Sequence, residues 1–185
     1  VVRHLAWSAD TIDQQPRPDN FADTQQHLTH EKTDVIFAVF GFNESFAGQA
    51  GLEEFRKKLA EYIAELKSQA YNGQSAPRIV LVSPIANEDI LNVPAAQMNN
   101  ERIKLYVEAV QQVAAQESLG FVDVFTRTEE ALGSLGTDLT VNGIHLTNEG
   151  YQVFAETLFK GLTDREPPQV SGELLKAIVD KNYQY

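Results

Sequence analysis

The 185-residue sequence contains no cysteine and only one methionine and one tryptophan. Without cysteine, the chain can form neither a disulfide framework nor a thiolate metal site. No apolar run in the sequence approaches the roughly 18 residues that a membrane-spanning helix needs, so we predict no membrane span. Basic residues are also scarce: 15 Lys and Arg against 26 Asp and Glu give a formal net charge of −11. This acidic excess argues against a nucleic-acid partner, because such binding depends on Lys and Arg at the phosphates.

What the sequence does contain is the composition of one globular domain, with 43% hydrophobic and 22% charged residues. Apolar, β-branched runs predict four strands, at residues 1–7, 35–40, 79–82 and 121–125. Apolar residues at three-and-four spacing predict helices between and after them. Because alternating strands and helices form right-handed parallel units, the predicted fold is α/β, a three-layer α/β/α sandwich around a mainly parallel sheet.

A pair of prolines, Pro167 and Pro168, interrupts the helical pattern near the end of the chain. We therefore predict a domain at residues 1–163, a linker at 164–170 and a C-terminal helix at 171–185. The sequence opens within a predicted strand and closes within a predicted helix, so we expect it to belong to a longer protein.

Two short motifs suggest chemistry. Residues 41–44 (Gly-Phe-Asn-Glu) follow a predicted strand, and residues 142–146 (Asn-Gly-Ile-His-Leu) precede a predicted helix. A hydroxyl nucleophile needs a base within hydrogen-bonding reach and preorganised donors for the developing oxyanion. His145 could be that base. Asn43 could donate its side-chain N–H to the oxyanion, because ligands of open α/β sheets bind beyond the carboxyl ends of the strands.

In order along the chain, three segments resemble conserved blocks of the SGNH, or GDSL, hydrolase family. Residues 3–11 resemble the second block, which implies that the backbone N–H of Ala9 lines the oxyanion hole. Residues 41–44 resemble the third block, in which Asn43 is the second oxyanion donor. Residues 142–145 resemble the fifth block, in which Asn142 orients His145.

The resemblance covers nearly the whole chain and implies a flavodoxin-like sheet, no cofactor and no metal. It also implies an esterase that removes an O-acyl group, such as acetate, from a carbohydrate. The chain resembles the branch found in large multidomain proteins of planctomycete-type bacteria, which implies a secreted or periplasmic protein.

The chain departs from the family pattern at three places. The block with the nucleophilic serine is absent, and we expect that serine upstream of Val1, in an N-terminal segment that carries the first strand of the sheet. Ala9 replaces a glycine, so its backbone must either keep a negative φ or be strained. Asn142 replaces an aspartate, and an amide at that position costs about 10⁴ in kcat in a serine protease. Its carbonyl oxygen can still accept the Nδ1–H bond of the histidine.

Other residues leave alternatives open. Ser8 and Ser45 lie near the proposed oxyanion donors, but turn-capping roles explain both more simply. Asp138 could supply the missing carboxylate, or it could be an exposed loop acid. His27 and His30 share one helix face without a third ligand at suitable spacing, so we predict no metal site.

Gly41, Trp7 and Phe42 flank the proposed site, and we predict that they contact a small-molecule or carbohydrate ester, although core packing explains the aromatic rings equally well. Two hypotheses follow. The first is an active esterase whose serine lies upstream. The second is a catalytically inactive module that binds a glycan or a protein partner within a larger assembly. The intact asparagine and histidine favour the first hypothesis, and the two substitutions favour the second.

Overall fold

The computed structural model describes residues 2–90, 95–132 and 134–183. Its centre is a sheet of three parallel strands in the order β1-β2-β3. The strands are β1 (Val35–Val39), β2 (Arg78–Val82) and β3 (Gly120–Val122). Ile36 lies opposite Ile79, and Val82 lies opposite Val122. The predicted α/β fold with a parallel sheet is confirmed.

In the described part of the chain, one helix precedes the first strand and the others follow the strands or one another. The helices are α1 (Thr24–His30), α2 (Leu52–Lys67), α3 (Ala96–Gln116), α4 (Val124–Ala131), α5 (Asn148–Thr163) and α6 (Gly172–Tyr183). A 3-10 helix at Glu44–Gly51 leads into α2. Side chains that accept backbone N–H bonds set several of the starts. Asp23 caps α1, and Thr147 caps α5 by accepting from the N–H of Gly150.

The main core lies between one face of the sheet and helices α1, α2 and α3. Apolar residues of α2 and α3 recur at helical spacing and pack against the alternate residues of β1 and β2 that point to this face. The fully buried members include Leu59, Ile63, Leu66, Leu81, Tyr106 and Ala109.

The opposite face is covered by α5 over β2 and β3. Phe154 and Leu158 pack against Val82 and Val122 there. On β1 the same face is open, because Phe37 and Val39 alternate with the core residues and are each 45% exposed. The second layer of helix thus covers the sheet only in part.

Two glycines of α5 lie about three helical turns apart on the side that meets the rest of the domain. A Cβ atom at Gly150 would lie 2.1 Å from the carbonyl oxygen of Leu139, and one at Gly161 would lie 2.6 Å from Cγ1 of Val122. The backbone of α5 therefore rests directly on the loop before it and on β3.

The strand predicted at residues 1–7 is wrong for the described residues 2–7, which form no strand. Strand hydrogen bonds come from a neighbouring strand, and within the described ranges β1 pairs with β2 alone. The apolar run therefore has no partner for a ladder. Its polar contacts include two side-chain bonds: Arg3 bonds to Glu31, and the carbonyl of Leu5 accepts from Arg17.

The strand predicted at residues 121–125 is too long. β3 ends at Val122, because the Asp123 side chain accepts from the N–H of Thr126 and caps α4. The buried hydroxyl of Ser83, directly after β2, accepts from the N–H groups of Val124 and Phe125. These bonds turn the last residues of the apolar run into a helix.

The segment after α5 contains α6, whose apolar residues are exposed; Leu174, Leu175, Ile178 and Val179 are each at least 43% exposed. The division into a domain, a linker and a closing helix stays a prediction. In the parts of the chain that the structure describes, no helix is long and apolar enough to cross a membrane.

Candidate active site

The proposed site residues belong to segments at the carboxyl edge of the sheet. Because the strands are parallel, the segments after β1 and β2 leave the sheet at this edge, where ligands of open α/β sheets bind. Asn43 follows β1. Asn87 and Glu88 follow β2 and hydrogen-bond to residues 139–143. The loop that bears His145 is therefore held to the same edge.

Residues 7–10 form a tight turn beside Asn43. The N–H of Asp10 donates to the carbonyl of Trp7 at 3.2 Å, and the N–H of Trp7 donates to Oδ2 of Asp10 at 2.9 Å. Both terminal nitrogens of Arg17 donate to the Asp10 carboxylate at 2.8 Å. The Arg17 guanidinium, helped by the Trp7 N–H, holds the pKa of Asp10 below its usual value. The ion pair thus fixes the turn.

Ala9 lies within this turn at φ +66°, in the left-handed region where a Cβ atom is unfavourable. Of the two outcomes expected for an alanine at this position, the structure has the strained one. Within the described part of the chain, the N–H of Ala9 donates no hydrogen bond, so it is free to bind an oxyanion.

Asn43 joins the turn after β1 to this N-terminal turn. Its Nδ2 donates to the carbonyl of Asp10 at 3.0 Å, and since an amide nitrogen carries two hydrogens, one N–H remains for a ligand. The neighbouring Glu44 bridges the same two segments: its carboxylate accepts from the N–H of Gly41 at 2.9 Å and from the N–H of Ile12 at 3.0 Å. The sequence motif contains Glu44, but its bridging role was not predicted.

Asn142 and His145 are also brought together. Oδ1 of Asn142 accepts from the N–H of His145 at 3.0 Å and lies 3.0 Å from its Nδ1. The backbone donor identifies this amide atom as the oxygen, so Nδ1 must carry the proton. That tautomer leaves the lone pair of Nε2 free to accept a proton. His145 is exposed, so the lone pair is accessible.

Glu88 holds the loop before His145, and the sequence reasoning missed it. Its carboxylate accepts from the backbone N–H groups of Leu139 and Thr140 and from the Thr140 hydroxyl. The only sequence signal was an acidic residue shortly after an apolar strand. That pattern is common on protein surfaces, yet Glu88 is only 7% exposed.

The three residues predicted to contact substrate lie close to these turns. Trp7 is 45% exposed, stacks edge-on with Phe21 and lies under the Arg17 guanidinium. Phe42 is half-buried and packs against Phe46. Gly41 is buried, and its N–H is bound by a carboxylate. Their contact with substrate stays a prediction.

Two of the alternative residues, Ser45 and Asp138, make local contacts. Ser45 is buried and donates to the carbonyl of Phe42 at 2.6 Å, which makes it a turn cap. Asp138 is exposed, and its carbonyl accepts from Thr147. Among residues 2–90, 95–132 and 134–183, no cluster of three His, Cys, Asp or Glu side chains could hold a metal ion.

Solved structures with similar folds include an acetylxylan esterase and an alpha/beta hydrolase. Axe2, an acetylxylan esterase from Geobacillus stearothermophilus, superposes with a TM-score of 0.53 at 18% identity, covering 76% of this chain and 68% of its own. A variant of Axe2, described as an acetyl-xylooligosaccharide esterase, gives 0.56 at 18% identity and covers 80% of this chain and 71% of its own.

LAE5, an alpha/beta hydrolase enzyme from the metagenome of Lake Arreo in Spain, gives a TM-score of 0.54 at 19% identity, with 75% of this chain and 67% of that chain covered. At these identities the structures establish the fold alone. No curated protein sequence matches the chain.

Residues 1–153 match the model of the GDSL-like lipase/acylhydrolase family. Because the match spans most of the 185 residues, the protein belongs to this family.

Proposed function

We propose that the chain is part of an SGNH-type serine esterase that removes an O-acyl group, such as acetyl, from a carbohydrate or a similar ester. The observation that carries the proposal is a hydrogen bond made by each of two proposed site residues, Asn43 and Asn142. Asn43 binds the turn that contains Ala9, and Asn142 contacts Nδ1 of His145. The shared fold with an acetylxylan esterase supports the substrate class.

The proposed reaction begins with a serine hydroxyl that attacks the ester carbonyl while Nε2 of His145 takes the hydroxyl proton. The N–H of Ala9 and the second N–H of Asn43 bind the negative oxygen of the tetrahedral intermediate. The intermediate collapses to an acyl-enzyme, and the imidazolium gives its proton to the departing alcohol. Water, activated by the same histidine, then releases the acid. Asn142 keeps the imidazole in the correct tautomer throughout.

In this proposal the nucleophile comes from an N-terminal segment of a larger protein, of the planctomycete type that the sequence resembles. Two observations support such a segment. The outer edge of β1 is unpaired among the described residues, and open edges invite another strand. The order β1-β2-β3 corresponds to strands 3-4-5 of the flavodoxin-like order 2-1-3-4-5, so a first strand belongs beside β1. A helix after that strand would cover Phe37 and Val39.

The test is hydrolysis of an acetyl ester by the protein together with its upstream segment, comparing wild type with His145→Ala. Loss of the general base should lower kcat by about 10²–10⁴-fold. His30→Ala, an exposed histidine of α1, is the matched control and should keep full activity. Turnover in wild type that survives His145→Ala unchanged would reject the serine-hydrolase mechanism.

The second candidate function is an inactive module that binds a glycan or a protein. It is favoured by one observation: no serine hydroxyl in the described ranges hydrogen-bonds to the imidazole of His145. Absence of turnover in wild type and in Asn142→Asp, with the upstream segment present, would put this function first. Binding of acetylated xylo-oligosaccharides by calorimetry would then identify the ligand class.

A further inference from the structure

We propose that Glu88 is a positioning residue that, through Thr140 and Gly143, sets the orientation and tautomer of His145. The inference rests on the proposed role of His145 as the base. Neither the family resemblance nor the sequence motifs assigned Glu88 a part in the site.

Glu88 is a carboxylate in an interior position, 7% exposed, where an uncompensated charge would be unstable. Among the residues that the structure describes, the donors to this carboxylate all come from one loop. Oε1 accepts from the N–H of Leu139 at 2.9 Å, Oε2 accepts from the N–H of Thr140 at 2.6 Å, and the Thr140 hydroxyl also donates to Oε2. Three donors thus share the two carboxylate oxygens. A glutamine amide could not satisfy all three donors, because its nitrogen donates and cannot accept.

The restraint passes from Thr140 to the peptide groups on both sides of Gly143. Oγ1 of Thr140 accepts from the N–H of Gly143 at 2.9 Å. The carbonyl of Gly143 accepts from Nδ2 of Asn87 at 2.8 Å and from the N–H of Glu88 at 2.9 Å. Gly143 lies between Asn142 and His145, so fixing its two peptide planes fixes the pair whose side chains meet.

Asn87, which precedes Glu88 and binds the Gly143 carbonyl, is itself held by helix α3. Asn100 of α3 accepts from the N–H of Asn87 at 2.7 Å and donates to its carbonyl at 2.9 Å. Asn99 of α3 donates to Oδ1 of Asn87 at 2.7 Å. A chain of hydrogen bonds thus runs from a long core helix through residues 87 and 88 to the histidine loop. Groups that are held on rigid elements in this way keep a catalytic geometry.

The experiment measures the tautomer of His145 directly. In wild type, ¹⁵N NMR of histidine-labelled protein should show a proton on Nδ1 of His145, with the signal assigned through His145→Ala. In Glu88→Gln, the ratio of the Nδ1–H to the Nε2–H tautomer should fall by roughly threefold to tenfold, the effect of losing one net hydrogen bond. Thr140→Val should produce the same change, and Thr140→Ser, which keeps the hydroxyl, should restore the wild-type ratio.

Ile63→Val, in the core of α2, is the control for general destabilisation, because it lowers the melting temperature without touching the loop. A wild-type tautomer ratio in Glu88→Gln and in Thr140→Val would overturn the proposal and leave Glu88 a purely structural residue. If Glu88→Gln does not fold, the two Thr140 variants decide alone. The readout needs no turnover. A tautomer shift in a protein that has the upstream segment but no esterase activity would therefore reject the proposed function and keep the positioning role.

Discussion

Ala9 occupies a conformation that suits glycine, and its replacement by glycine should stabilise the protein. At φ +66° the Cβ atom of a non-glycine residue costs about 1–2 kcal/mol. Glycine loses more backbone entropy on folding than alanine, a cost of about 0.4–1 kcal/mol. The difference leaves a net gain of about 0.5–1 kcal/mol, which corresponds to a rise in melting temperature of roughly 1–4 °C for a chain of this length.

The assay is thermal and urea unfolding of wild type and Ala9→Gly, followed by circular dichroism. Two variants give the control. Ser118→Gly, at φ +55°, should be stabilising as well, because it relieves the same strain. Ala64→Gly, in the exposed interior of α2, should be destabilising by about 1 kcal/mol. If Ala9→Gly lowers stability as Ala64→Gly does, the left-handed turn does not exist in solution and the position of the Ala9 N–H in the site is wrong.

Three further predictions concern the turn and the histidine loop. The folded-state pKa of Asp10 lies below its unfolded value near 3.8, so the Arg17 pair stabilises the fold above that pH and the contribution disappears as the pH falls through the lower, folded value; the stability difference between wild type and Arg17→Gln, measured by urea unfolding, should therefore shrink in acid. Asn142→Asp should raise kcat on an acetyl ester, by up to about 10⁴-fold, and an unchanged or lower kcat would show that a carboxylate is not needed there. Deamidation at Asn142 should be slow in the folded protein and faster after unfolding, as measured by mass spectrometry, because Thr140 binds the Gly143 nitrogen that would attack the amide.

The features that the sequence predicts correctly are those that depend on local pattern. The apolar spacing along α2, α3 and α5 and the runs at β1 and β2 predicted these elements, because each element buries one continuous face. The likeness of residues 3–11, 41–44 and 142–145 to family blocks picked out segments that make two contacts in the fold, one between Asn43 and the carbonyl of Asp10 and one between Asn142 and His145. Whether these residues act together on a substrate stays a prediction.

The features that the sequence could not predict depend on partners far along the chain. Residues 2–7 have the composition of a strand, but a strand needs a neighbour, and composition does not provide one. Glu88 resembles a surface acid until the donors of Leu139 and Thr140 are known. Arg17 likewise follows a proline in an ordinary turn, and only the folded structure shows that it binds Asp10.

The close contacts of Gly150 and Gly161 have a consequence for how α5 can vary during evolution. Elsewhere in this helix, side chains such as Phe154 and Leu158 can be exchanged for others of similar volume with neighbouring adjustments. At the two glycines no larger residue fits, since even a methyl group would overlap the Leu139 carbonyl or the Val122 side chain. A carbon added at Gly150 would push the start of α5, and with it the end of the histidine loop, away from Leu139, and one added at Gly161 would push the end of α5 away from β3. The position of the histidine loop therefore depends on Gly150, a residue that carries no side chain, and the packing of α5 on β3 depends on Gly161 in the same way.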